Sequence, residues 1–167
     1  LALARPEVAL KVTRNGRTVL DLKSALDAQA QLERIGDICG DAFASQAVYM
    51  ERDSKAMVLS GWLGLPTYNR SQADKQFWFV NGRSIVDKTL NHAVRQAYRD
   101  VLFHGRFPAY VLYLSLDPTQ VDTNAHPTKH EVRFRDGRSI HSFVSQAVDH
   151  VLSDTRPGGH DTSLVPT

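Results

Sequence analysis

Apolar residues recur along this chain in two periods. Between residues 87 and 102, Leu90, Ala93, Val94, Ala97, Tyr98 and Val101 return every three to four positions, the spacing that lines one face of an α-helix starting near Asp87. Ile140, Phe143, Val144, Ala147, Val148, Val151 and Leu152 repeat that spacing near the end of the chain. Ala25, Leu26, Ala28, Leu32 and Ile35 make a shorter version over residues 24–36, after which Gly36 and Gly40 bracket an expected change of direction. The second period is alternation. Leu112, Leu114 and Leu116 point one way in a strand predicted over residues 110–116. Shorter strands are expected in pairs: 8–14 with 17–22 about Asn15-Gly16, 47–51 with 55–61 about Asp53-Ser54, and 77–80 with 84–86 about Asn81-Gly82. Asn-Gly between two such runs signals a type I′ hairpin, because both residues tolerate the positive φ that this turn requires. Residues 121–125 and 131–134 read as two further strands, and residues 65–75, with Pro66, Asn69 and Ser71, carry no period and read as a mobile loop. Strands and helices alternate without the repeat of a doubly wound sheet. The expected fold is therefore α+β, a mixed sheet with helices packed on one face.

Composition narrows the class without deciding it. A chain of 167 residues is sized for one domain with its own core. With 42% hydrophobic and 23% charged residues it reads as globular, and no apolar run approaches the ~20 residues that cross a bilayer. The lone Cys39 cannot form an internal disulfide, which fits the cytoplasm without requiring it. The chain opens on Leu1 and closes on a polar tail with Pro157-Gly158-Gly159, so residues 1–152 read as a domain and 153–167 as the start of a linker in a longer protein. A net charge of +2 is too small to announce nucleic acid, and any basic surface has to be local.

Two clusters could carry chemistry. At 100° per residue, Lys88, His92, Arg95 and Arg99 fall within about 60° of one another, opposite the apolar face of their helix. Arg83 and Arg106 flank it, against only Asp87 and Asp100. Such a strip suits a phosphate backbone; it also suits a plain solvated face. The second cluster is Asp122-Thr123-Asn124-Ala125-His126-Pro127-Thr128-Lys129-His130-Glu131-Val132-Arg133-Phe134. Pro127 stiffens the turn before Lys129, and a lysine on a stiff turn can reach a terminal phosphate, although an ordinary exposed lysine is the plainer alternative. A zinc site at His126 and His130 is disfavoured, because that spacing needs a helix that Pro127 breaks. Cys39 lacks a nearby cation, and neither a Gly-x-Ser-x-Gly elbow nor a Gly-x-x-x-x-Gly-Lys-Ser/Thr loop occurs. The chain does not read as an enzyme by itself.

Residues 122–134 are similar to the MutL-family signature Asp-Val-Asn-Val-His-Pro-x-Lys-x-Glu-Val-Arg-Phe, departing at Thr123 and Ala125. Phe79-Val80-Asn81-Gly82-Arg83, Gly61-Trp62-Leu63-Gly64 and residues 35–43 agree with the same family, so the resemblance runs over about residues 4–152. It implies the second, or transducer, domain of the N-terminal region of a DNA mismatch-repair protein, with the fold of the corresponding domain in gyrase B. It also implies a GHKL-type ATPase domain upstream, a C-terminal dimerisation domain downstream, and a parent that is a weak ATPase using ATP and Mg2+. Lys129 stands where the family lysine reaches the γ-phosphate, coupling domain closure to ATP state, with Asn124 in support. The family's DNA-binding surface falls on Arg83, Lys88, His92, Arg95 and Arg99, for weak binding indifferent to sequence with single strands favoured. Implied partners are DNA, MutS, MutH or an equivalent nuclease, the UvrD helicase and a second copy of the parent, in the bacterial cytoplasm. The related alternative is the transducer domain of a type II topoisomerase, for which a Gln-Thr-Lys turn would replace His-Pro-Thr-Lys.

Overall fold

The computed structural model describes residues 3–4, 9–22, 28–126 and 131–155. Strands β1 (Leu10–Arg14) and β2 (Arg17–Leu22) form a separate two-stranded hairpin. Asn15 and Gly16 take φ of 53° and 77° at its turn, as the Asn-Gly signal required. Helices α1 (Ala28–Cys39) and α2 (Asp41–Ser45) follow. The start expected for the first helix, with Ala25 and Leu26, lies outside the described residues. Its end differs from expectation, because α1 runs through Gly36 and the reversal falls at Gly40, where φ is 103°. Packing explains Gly36. A Cβ there would stand 3.1 Å from the Asp41 carboxylate and 3.3 Å from the Ala44 methyl, so its absence lets α1 close on α2.

The main sheet begins with β3 (Ala47–Asp53) and β4 (Met57–Gly64), a hairpin with longer arms than the pattern suggested. Next come β5 (Asn69–Arg70), β6 (Gln76–Val80), β7 (Arg83–Ile85), α3 (Lys88–Tyr98), β8 (Phe107–Pro108) and β9 (Tyr110–Leu116). Five of these strands form one sheet in the order β3-β4-β9-β6-β7, antiparallel except where β6 runs parallel to β9. The mixed sheet of an α+β fold is thus present. The segment expected to be a mobile loop is tied down: Asn69 and Arg70 pair with Pro108 and Phe107, and the Arg70 guanidinium grips the Asp74 carboxylate at 2.9 and 2.7 Å. Beyond β9, a 3-10 turn leads to the hairpin of β10 (Val121–His126) and β11 (Glu131–Phe134), and α4 (Gly137–Thr155) closes the described chain. The tail expected to be a linker lies mostly outside the described residues, since α4 continues to Thr155.

Alternation along the strands divides the apolar residues between two faces. Leu59, Leu63, Trp78, Val80, Leu112 and Leu114 face α3 and α4 in the larger core, where Leu90, Ala93, Val94, Val144 and Val148 meet them, all 3% exposed or less. Trp62, Phe79 and Val111 point the other way, against Ile35, Cys39 and Phe43 of α1 and α2. Covering therefore differs from the one-sided arrangement expected, because the apolar alternation of the central strands leaves a second face to bury. Gly61 marks the tightest approach in the sheet. With φ of +142°, a Cβ there would lie 2.2 Å from the Val111 carbonyl oxygen.

Candidate nucleic-acid interface

Helix α3 is fixed from inside and presents its charges outside. Its N-cap, Asp87, accepts a hydrogen bond from the Leu90 amide at 2.9 Å and satisfies one of the free donors of the first turn. Burial pushes the Asp87 carboxyl above the usual carboxylate range against the pull of the Leu90 and Thr89 amides, with a further push from Glu131. At the other end Tyr98 is 1% exposed, and its hydroxyl donates to the Gly64 carbonyl at 2.5 Å, binding the helix to the end of β4. The amides of Val101 and Leu102 both turn back to the Tyr98 carbonyl, so the helix ends there rather than at residue 102.

On the outer face Lys88, His92, Arg95 and Arg99 are all exposed, as the helical period predicts, and Arg83 is exposed on β7. Their surroundings separate them. His92 Nδ1 lies 2.8 Å from His141 Nε2 of α4, a hydrogen bond that needs one of the two nitrogens bare. That contact engages the His92 ring with α4. The Arg95 guanidinium lies 5.4 Å from the centre of the Phe107 ring, a cation–π contact that orients it without neutralising it. Arg106 is held similarly, its Nε donating to Asn69 Oδ1 at 2.6 Å and an Nη to the Asn69 carbonyl at 3.2 Å.

An open cleft of about 510 Å³ lies between the last turns of α3 and residues 102–108. Its lining includes His92, Arg95, Arg99, His104 and Arg106, and among the described residues no carboxylate. Phe103 stands at the cleft with 86% of its surface exposed. Sequence reasoning passed over Phe103, His104 and His141. The interleaving of aromatic and basic residues in Phe103-His104-Gly105-Arg106-Phe107 was the signal that could have found the first two.

The second predicted cluster is only partly visible. Lys129 lies outside the described residues, as does His130; Asn124 belongs to β10, whose backbone pairs antiparallel with β11 and sets His126 opposite Glu131. Among the described residues no group of three metal-ligating side chains occurs, and no described helix is long and apolar enough to cross a membrane. Cys39 is free and buried, and burial pushes its thiol up against the smaller pull of Lys75, which fits a packing role.

Comparison with known proteins turns this geometry into a family assignment. A family model described as the C-terminal domain of DNA mismatch repair proteins matches residues 35–153. The chain belongs to the MutL family of DNA mismatch repair proteins. It is 53% identical over 160 residues to a MutL of Pseudomonas putida and 50% identical over 157 residues to that of Cellvibrio japonicus. These alignments cover 96% and 94% of this chain but 25% of each relative, so the chain spans about a quarter of the length of the MutL proteins it matches. A crystal structure of the N-terminal domain of a DNA repair protein has the same fold, with a TM-score of 0.70 at 17% identity over 91% of this chain and 48% of that one. An Aquifex aeolicus MutL ATPase domain superposes at a TM-score of 0.55 and 19% identity, over 88% and 47% of the two chains. The family match does not favour the topoisomerase alternative.

Proposed function

We propose that this chain is the transducer module of a bacterial mismatch-repair protein, which holds DNA on the outer face of α3 and reports the ATP state of a neighbouring domain. DNA binding is assigned to Arg83, Lys88, His92, Arg95 and Arg99, weak and indifferent to sequence, because contacts to a phosphate backbone position without specifying. The observation that carries this reading is the exposed cationic face of α3, continuous with a cleft that no carboxylate lines. Lys129 is assigned to the γ-phosphate of ATP held with Mg2+ in an adjoining GHKL-type ATPase domain, and Asn124 to support of that contact. A lysine so placed would set positive charge against the oxygens of the γ-phosphoryl group in transfer. Catalysis belongs to the whole parent and not to this module alone. The reading also carries the cytoplasm as its location and, as partners, a second copy of the parent, MutS, a MutH-type nuclease and the UvrD helicase.

The test is equilibrium binding of single-stranded DNA by the full-length protein, wild type against Lys88→Glu with Arg95→Glu. Loss of affinity in the reversed variant is expected, and equal affinities would reduce the strip to a solvated face. The Lys129 assignment is tested separately by ATP turnover and by nucleotide-dependent dimer closure of Lys129→Ala. Both are expected to fall while thermal unfolding stays unchanged; wild-type turnover would remove the γ-phosphate contact.

A further inference from the structure

Phe103 has no packing reason to be where it is. A phenylalanine with 86% of its surface in water forgoes the burial that its side chain would gain in either core. Nor is it on a loose segment. The Arg106 amide closes a tight turn on the Phe103 carbonyl, Gly105 takes the left-handed φ of 79° that the turn needs, and Arg106 is tied to Asn69. The fold thus holds an aromatic face to solvent beside Arg95, Arg99 and Arg106.

A cleft of this size, with several cations and no carboxylate along its lining, suits one anionic group with a flat ring attached. A nucleotide of a single strand is such a group, because its base is free to leave the stack, whereas a duplex hides both faces of every base. Stacking on an aromatic side chain strengthens binding to single strands and tolerates any base, since every base has a π face.

We propose that the cleft beside the C-terminal end of α3 takes one nucleotide of single-stranded DNA, its base stacked on Phe103 and its phosphate on Arg95 and Arg99. The inference rests on the reading of α3 as a DNA-binding face and gives that face its preference for single strands. Backbone charge is read by α3, and strandedness is read by Phe103.

The experiment measures fluorescence anisotropy of the full-length protein with three labelled probes: oligothymidine, a base-free phosphodiester of the same length, and a duplex. Phe103→Ala is expected to weaken oligothymidine binding by about fivefold or more, the range for loss of one stacked base. It should leave the base-free probe, the duplex and the salt slope unchanged, and Phe103→Trp should restore affinity. Because Phe103 is exposed, its removal leaves both cores intact. Equal losses on oligothymidine and the base-free probe, or no loss on either, would overturn the stacking role. If Lys88→Glu with Arg95→Glu loses oligothymidine while Phe103→Ala does not, the DNA face stands and the nucleotide cleft falls. If the charge-reversed protein binds as wild type does, both fall together.

Discussion

Alkaline pH should unfold this protein through two buried phenols. Tyr98 and Tyr110 are each 1% exposed in the larger core. Burial pushes both hydroxyls far above the ordinary phenol value, with the neighbouring Tyr110 adding to the push on Tyr98. In the unfolded chain both ionise near the ordinary value of ~10. Above that pH the folded state keeps two protons that the unfolded state has released, so stability present below it is lost as pH rises. The slope is about 1.4 kcal/mol per pH unit for each tyrosine, or about 2.7 kcal/mol for the pair. One and a half units above the phenol value, the loss reaches about 4 kcal/mol, a large part of the ~5 to 15 kcal/mol that a domain commonly has. The assay is urea unfolding followed by circular dichroism across a series of alkaline pH values. Tyr98→Phe leaves the Gly64 carbonyl without its donor and starts about 1 to 3 kcal/mol less stable at neutral pH. Tyr110→Phe loses its 2.7 Å hydrogen bond to Asn91 Oδ1 and starts lower by about 1 kcal/mol. Each variant should then lose about 1.4 kcal/mol less per pH unit than wild type above the phenol value. Slopes identical to wild type would show that neither phenol keeps its proton on folding, and would refute the reasoning whatever the absolute stabilities.

Three other outcomes follow from the same coordinates. Gly61→Ala should cost about 4 kcal/mol or more in urea unfolding, because its Cβ would meet the Val111 carbonyl at 2.2 Å on backbone already at φ of +142°; a loss under 1 kcal/mol would mean that β4 and β9 separate easily. Asp87→Ala should cost about 1 kcal/mol for the lost cap, whereas Asp87→Asn keeps a capping oxygen and sheds a charge that burial disfavours. Since the folded carboxyl binds its proton more tightly than the unfolded one, wild-type stability should decline as pH rises through the raised value, and the Asn variant should lack that decline. In a salt series with single-stranded DNA, Lys88→Ala with Arg95→Ala should make the slope shallower by about 1.4 log units per log of salt, two contacts at ~0.7 each; an unaltered slope would put the phosphates elsewhere.

What could be read beforehand was local, and what could not was long-range. Asn15-Gly16 and Asn81-Gly82 announce their turns because positive φ is a property of those residues, and both adopt it. The inner face of α3 and the alternation of β9 follow from periods of three to four and of two, so Leu90, Val94, Leu112 and Leu114 could be placed inward without a fold in hand. Strand order could not. Nothing near β9 says that it enters between β4 and β6, parallel to one and antiparallel to the other, because that choice is made by pairing between distant segments. The two-residue ladder of β5 with β8 escaped for the same reason, and with it the wall that Asn69 gives Arg106. Gly36 misled the helix boundary because its small size serves contact with α2 rather than a turn. The cleft was half legible: the helical period supplied Arg95 and Arg99 and the interleaved run 103–107 hinted at Phe103, whereas their meeting in one cleft required the tertiary structure.

The arginines of this structure differ in what holds them, and the difference bears on the proposed anion site. Arg70 shows what a merely structural arginine does here: its guanidinium is gripped by Asp74 at 2.9 and 2.7 Å, and its charge is met at the surface by that carboxylate. Arg95 and Arg106 are oriented with equal care by partners that carry no charge, an aromatic ring and an amide. Holding a long side chain costs conformational entropy, which the ring and amide contacts offset in part. An anion site gains twice, because the geometry is set before the ligand arrives and the positive charge is still uncompensated when it does. Tyr98 anchors α3 from the opposite side, fastening the helix that carries these cations to the end of β4. The proposed transducer role requires a helix held in this way, since a DNA contact on a loose one would not be passed on to the sheet.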